Sequence, residues 1–191
     1  MYSGSALKNS VGFPTNALYG FTSMINKIID EEHPTYMAVA FDIGKNFRHE
    51  KYPNYKAGRK EIPEDLLKQM PVAREILNGM GIVYLEKENY EADDIIGTIV
   101  KMCLEDKEFD STIVSSDHDL LQLINNETDV KLLKQKDYTR YNEETFMKDY
   151  GIKPINIIDL KALAGDSSDN IPGVKGVGDK TALTLLQKYQ T

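Results

Sequence analysis

Short apolar runs alternating with amphipathic helical segments predict an α/β fold with a mostly parallel sheet flanked by helices. Two further observations support this: carboxylates gather where the expected elements meet, and the pattern after Asn142 turns wholly helical. With 191 residues and 41% hydrophobic content, the chain can bury the core of one globular domain.

In order, Asn16 to Ile29 carries Leu18, Phe21, Met24, Ile25 and Ile28 at helical spacing and stops near His33-Pro34. The apolar run Tyr36 to Phe41 reads as a buried strand. Pro63 to Met80 is amphipathic, and Gly81 separates it from a second short run, Ile82 to Leu85. Glu91 to Leu104 reads as helix, Thr112 to Ser115 as strand, Asp119 to Ile124 as a short helix and Val130 to Leu133 as strand. Further helices are expected over Glu143 to Tyr150, Pro154 to Leu163 and Lys180 to Tyr189, separated by Gly-rich or Asp-rich turns. The expected organisation is a single domain, with an α/β core to about residue 165 and a helical region from about 166 to 191.

Lone Cys103 allows no intramolecular disulfide, Met1 to Ser5 lacks a signal pattern, and no run approaches membrane-spanning length. A cytoplasmic protein without membrane contact is the expectation. The net charge of -7 argues against a nucleic-acid partner only if it is spread evenly, and it is not.

The acids fall in tight clusters: Asp42, then Glu91, Asp93 and Asp94, then Asp117 and Asp119, then Asp166 and Asp169. In an open α/β sheet the crevice outside the carboxyl ends of the strands receives ligands, and the first three clusters lie at such ends or at the helix that follows. Glu91 and Asp94 share a helical face, and the turn Gly165 to Asp169 can present both of its acids to one ion. Any one of these acids could simply cap a helix. Capping asks for one acid per helix, however, and repeated pairs ask for a counter-ion. Hard divalent cations with oxygen ligands, magnesium or manganese, meet that need.

Between Lys45 and Lys60 six Lys/Arg (45, 48, 51, 56, 59, 60) face one acid, Glu50, with Phe47, Tyr52 and Tyr55 interleaved. Cations for phosphates beside aromatics for bases suit a single-stranded nucleic-acid platform; a solvated basic face is the alternative. Ile171 to Ala182 is Gly-rich and opens a helix, so its free N–H groups can cradle a phosphate. Gly173, Gly176 and Gly178 do not have dinucleotide spacing, and Asp179 before Lys180-Thr181 breaks the Walker pattern. A hairpin gripping a DNA backbone fits better, with a plain helix-joining turn as the alternative. His33, His49 and His118 are scattered and lack a Cys partner for zinc.

These segments together resemble the 5′ nuclease (flap endonuclease) superfamily, specifically the bacterial 5′-3′ exonuclease domain found at the front of DNA polymerase I or as a separate protein. The resemblance runs from about Ser10 to the end. It is carried by Pro14 to Gly20, Val39-Ala40-Phe41-Asp42, Phe47-Arg48-His49, Tyr55 to Arg59, Tyr90 to Asp94, Asp117 to Leu123 and Gly165 to Val174, in family order.

The resemblance implies a PIN-like core with a C-terminal helix-hairpin-helix, and a metal-dependent nuclease acting on 5′ flaps, forked ends or RNA primers in replication and repair. Two Mg2+ ions, replaceable by Mn2+, would be held by Asp42, Glu91, Asp93, Asp94, Asp117, Asp119, Asp166 and Asp169. In the family's arch, expected near residues 45 to 75, Lys56 and Arg59 would hold the scissile phosphate and Tyr55 would stack on a base. Arg48, Lys51 and Lys60 would touch DNA, as would Gly173, Lys175, Gly176, Gly178 and Lys180 of the hairpin, where the family commonly binds K+. A polymerase domain or polymerase partner is implied as well. Family members open with a strand ending in a metal-binding Asp and carry helices beyond the hairpin. Without these parts the expectation is a marginally stable, slow nuclease, the alternative being a nonhydrolytic flap-DNA binder.

Overall fold

In a computed structural model, residues 7–134 and 137–189 are described, so Met1 to Ser5 lies outside the described residues. The elements run α1 (Asn16–Glu32), β1 (Ala38–Ala40), α2 (Phe47–Lys51), α3 (Glu64–Gly79), β2 (Val83–Leu85) and α4 (Ala92–Asp106). There follow β3 (Ser111–Ser115), a 3-10 helix (His118–Leu123), β4 (Thr128–Leu133), β5 (Tyr138–Tyr141) and α5 (Glu143–Tyr150). A 3-10 turn (Pro154–Asn156), α6 (Ile157–Ala164), β6 (Gly165–Asp166), β7 (Ile171–Pro172) and α7 (Asp179–Tyr189) complete the order. The chain divides into two compact units, Met1–Phe41 with Lys60–Glu86, and Asp42–Arg59 with Lys87–Thr191.

In the first unit β1 and β2 pair in parallel, Ala38 beside Val83 through Ala40 beside Leu85. α1 ends where His33 takes a left-handed backbone (φ 45°) and returns its N–H to the Ile29 carbonyl, just ahead of Pro34. Ile25, Leu77 and Ile82 form the core, with Phe21, Val39 and Phe41 against it. Gln69, 1% exposed, accepts the Ala17 N–H at 2.9 Å and so ties α3 to the first turn of α1. The run Tyr36 to Phe41 is not the buried strand expected. Only Ala38 to Ala40 pairs, and Tyr36 is 76% exposed, because an apolar run reports composition and not which residues find a pairing partner.

In the second unit β3 and β4 are parallel, and β5 adds to β4 in antiparallel sense, Val130 opposite Tyr141. β5 went unforeseen because Tyr-Thr-Arg-Tyr lacks apolar alternation, although its aromatic and β-branched residues suit a strand. The segment after Asp117 is a 3-10 helix, and Pro154 opens a 3-10 turn before α6 begins at Ile157. The core joins Val100, Ile113, Leu121, Val130, Phe146, Ile157 and Leu186.

After α6 the chain turns back through the antiparallel pair β6 and β7. Gly165 leaves the helix at φ 80°, and a Cβ there would lie 2.4 Å from Gly173 N. A Cβ on Gly173 would lie 2.3 Å from the Ala164 carbonyl carbon. Two glycines are therefore needed where the strands touch. That tight return carries Asp166 and Asp169.

Candidate metal centre

Each acid is set by a local backbone device. Glu91 stands at the N-cap of α4, and its own N–H donates to Asp94 Oδ2 at 2.9 Å in a capping box. Asp93 and Asp94 occupy the first turn, where the helix dipole favours negative charge. Asp117 caps the 3-10 helix by accepting the Asp119 N–H at 2.9 Å, which holds the two acids in fixed relation. Asp166 Oδ1 accepts from the Ser168 N–H at 2.8 Å and the Ser168 hydroxyl at 2.6 Å.

These devices deliver Glu91, Asp93, Asp117, Asp119, Asp166 and Asp169 to one cavity of about 440 Å³, where Arg48, Lys51, Lys56 and Lys161 supply positive charge. Oxygens of Asp119, Asp166 and Asp169 lie within 4.8 Å of one another. All of these residues belong to the second unit.

The cations are engaged with the acids. Lys56 Nζ pairs with Glu91 Oε1, and Asn46, 4% exposed, donates to the same oxygen at 2.7 Å. Lys56 holds φ 56° and gives its N–H to the Asp169 carbonyl at 2.9 Å, so its ammonium is aimed by a fixed turn. Arg59 pairs with Asp169 Oδ1 at 2.5 Å. Arg48 grips Asp94 with two parallel bonds of 2.7 and 2.8 Å and reaches Glu91 at 3.6 Å. Lys161 Nζ lies 2.7 Å from Asp166 Oδ2 and 2.8 Å from Asp119 Oδ1. Asp119 Oδ1 is buried, and the Lys161 ammonium is its ion-pair partner.

Burial, reinforced by Asp117, Asp42 and Glu91, pushes Asp93 up to about 6. Burial acts the same way on Asp166, but Lys161 and Ser168 outweigh it and hold that carboxyl at about 2. Burial also opposes ionisation of Glu91, yet hydrogen bonds from Lys56 and Tyr55 keep it below the usual carboxylate range.

Of the other two acids expected in the shell, Asp42 accepts the Ala92 N–H at 2.6 Å through Oδ1 and stands near enough to Asp93 to add to the rise of its pKa, while Asp94 is paired with Arg48. Neither lines the cavity. Tyr55, expected to stack on a base, lines the cavity with its side chain 7% exposed and its ring edge-on to His49. Its hydroxyl lies 2.9 Å from both Glu91 Oε2 and Asp169 Oδ2, and burial with these acids pushes the phenol well above its usual range. Lys60 is exposed and falls in the first unit. Gly173, Lys175, Gly176, Gly178 and Lys180 are exposed on the segment from β7 into α7, outside this cavity. Lys161, Asn46 and Ser168 were missed; a lysine in the last turn of the helix before an acidic turn is the signal that could have found the first.

The N-terminal resolvase-like domain of the 5′-3′ exonucleases matches residues 1–151, and their C-terminal SAM fold matches residues 152–191. The chain belongs to the 5′-3′ exonuclease family. Its α/β architecture and helical C-terminal part are those of this family. DNA polymerase I of Bacillus caldotenax is 48% identical over 188 residues, 97% of this chain and 21% of that protein. The Bacillus subtilis (strain 168) DNA polymerase I is 46% identical over the same shares. The chain thus spans about a fifth of the length of the curated relatives it matches. Among solved structures, T5 5′-exonuclease with divalent zinc bound is 25% identical at TM-score 0.75, covering 90% of this chain and 66% of the T5 chain. The catalytic core of Rad2 in complex with DNA shares the fold at TM-score 0.64 and 21% identity, covering 97% and 57% of the two chains. Among the described residues, no helix is long and apolar enough to cross a membrane.

Proposed function

We propose that this chain is a metal-dependent 5′-3′ exonuclease and flap endonuclease that hydrolyses phosphodiester bonds of DNA, or of RNA primers, in replication and repair. The observation that carries this reading is the convergence of six carboxylates from separate segments on one cavity, beside Lys56 and the short basic helix α2. A wall of acids repels phosphate, so an anionic substrate requires resident cations.

The donor set fits Mg2+ or Mn2+: all the ligands are hard oxygens, three of them lie within 4.8 Å of one another, and buried Asp119 Oδ1 has an exchangeable ammonium beside it. Glu91, Asp93 and Asp117 would hold one ion and Asp119, Asp166 and Asp169 the other, with Asp42 and Asp94 bracing α4 behind them. When bound, such ions supply Lewis acidity toward the phosphodiester and lower the pKa of an attacking water.

The chain's own groups supply the remainder. Lys56 is aimed to donate to the scissile phosphate, and Arg59 to a flanking one. Tyr55 orients Glu91 and Asp169 through its hydroxyl. Arg48, Lys51 and Lys60 neutralise the single strand, while the Gly173 to Gly178 turn with Lys175 and Lys180 grips the duplex backbone, with K+ at its carbonyls. Forked DNA is the substrate class, and a polymerase domain or partner supplies the neighbouring activity.

The test is a 5′-flap duplex labelled on the flap strand, incubated with the protein in Mg2+ and in chelator. Shortening of the labelled strand only with Mg2+ is expected. Tight binding without shortening would instead make the chain a nonhydrolytic flap-DNA binder.

A further inference from the structure

Lys161 is a cation of the cavity for which the chemistry above has no use. It projects from the last turn of α6 to Asp166 Oδ2 and Asp119 Oδ1, at 2.7 and 2.8 Å, and so bridges acids from two separate elements. Asp166 has little else to offer a cation, since its Oδ1 is taken by the Ser168 N–H and hydroxyl. Asp169, the third acid of the group, is engaged through Oδ1 by Arg59. Three carboxylates this close repel one another. Lys161 and Arg59 offset two of the three charges, so the group stays net negative.

We propose that Lys161 is a resident counter-ion that holds Asp119 and Asp166 together in the metal-free protein and competes with a divalent ion for Asp166 Oδ2. It is a positioning residue that sets how tightly the ion at Asp119, Asp166 and Asp169 is held. This rests on reading those three acids as a divalent-cation site.

Mn2+ binding by the full 191-residue chain, followed by electron paramagnetic resonance, together with thermal melts in chelator, tests the inference without reading activity. Lys161→Gln removes the competing charge, so the Mn2+ ion at Asp119, Asp166 and Asp169 should bind about 10-fold tighter. The same change leaves the acids uncompensated, so the metal-free melting temperature should fall by about 3 °C. Lys161→Arg should restore both values. Unchanged or weaker Mn2+ affinity in Lys161→Gln, with Asp119→Asn still abolishing one site in the wild type, overturns this inference alone. Loss of no Mn2+ site in Asp119→Asn overturns the cation-site reading, and the inference with it. Should Lys161→Gln not fold in chelator, recovery of the fold in Mn2+ supports a replaceable counter-ion, and failure to recover rules it out.

Discussion

Gly173 backs onto Ala164 so closely that a methyl group on Gly173 would sit 2.3 Å from the Ala164 carbonyl carbon. Neither side of that contact is a flexible side-chain end; both are backbone. Gly173→Ala must therefore push β7 away from β6 and displace Asp166 and Asp169. A cost of about 2 kcal/mol or more follows, a fall of about 6 °C in melting temperature for a chain of this size. Gly178, with nothing within 4 Å of its Cβ position, should tolerate Ala in the same melt. Equal melts for the two variants would show that the approach relaxes freely.

Asp117→Asn keeps the oxygen that accepts the Asp119 N–H and removes only the charge. Cleavage of a 5′ flap in Mg2+ should fall by about 100-fold or more, since loss of an outer partner of a metal site alone costs about 10- to 100-fold. Flap affinity measured in Ca2+ should persist. Cleavage at the wild-type rate would remove Asp117 from the metal centre.

Lys56 and Lys45 separate chemistry from attraction. Lys56, aimed into the cavity, should act on charge that develops in the transition state, so Lys56→Ala should lower the single-turnover rate by about 100-fold. Lys45 is exposed, and Lys45→Ala should weaken binding and reduce the salt dependence by about one phosphate contact, with the saturated rate unchanged. Equal saturated rates would displace Lys56 from the site.

The raised Asp93 carboxyl gives a signed pH dependence. Its folded value of about 6 exceeds its ordinary value of 3.8, so the metal-free fold binds the extra proton and loses stability as pH climbs from about 4 to about 6. Asp93→Asn should therefore raise the metal-free melting temperature at pH 7 and change it little at pH 4. With discounting for solvent around a carboxyl that is only partly enclosed, the gain is about 1 kcal/mol, or about 2–4 °C. Protons and divalent ions compete for the same group, so apparent Mg2+ affinity should rise through pH 6. Differential scanning calorimetry across this range, with and without chelator, checks both signs.

The clusters were legible in the sequence because each acid pair sits at a helix start, a strand end or a tight turn, and those positions can be read from local pattern. Asp93, Asp117 and Asp166 share a cavity for that reason. Which cation each acid would take was not legible. Arg48 binds Asp94, and Lys161 bridges Asp119 and Asp166, through contacts set by packing between elements far apart in the chain. Burial of Tyr55 was hidden for a similar reason: an aromatic among cations reads as a stacking surface until Glu91 and Asp169 claim its hydroxyl. The strand β5 escaped because Tyr-Thr-Arg-Tyr lacks apolar alternation, and its pairing with β4 is not readable from the local pattern.

The most direct measurement is anomalous diffraction from crystals of the chain soaked in Mn2+. Two peaks are expected within about 2.5 Å of carboxylate oxygens, one among Glu91, Asp93 and Asp117 and one among Asp119, Asp166 and Asp169. A cavity without a peak, in crystals where Mn2+ binds elsewhere on the protein, would contradict the assignment of these six acids to a divalent-metal centre.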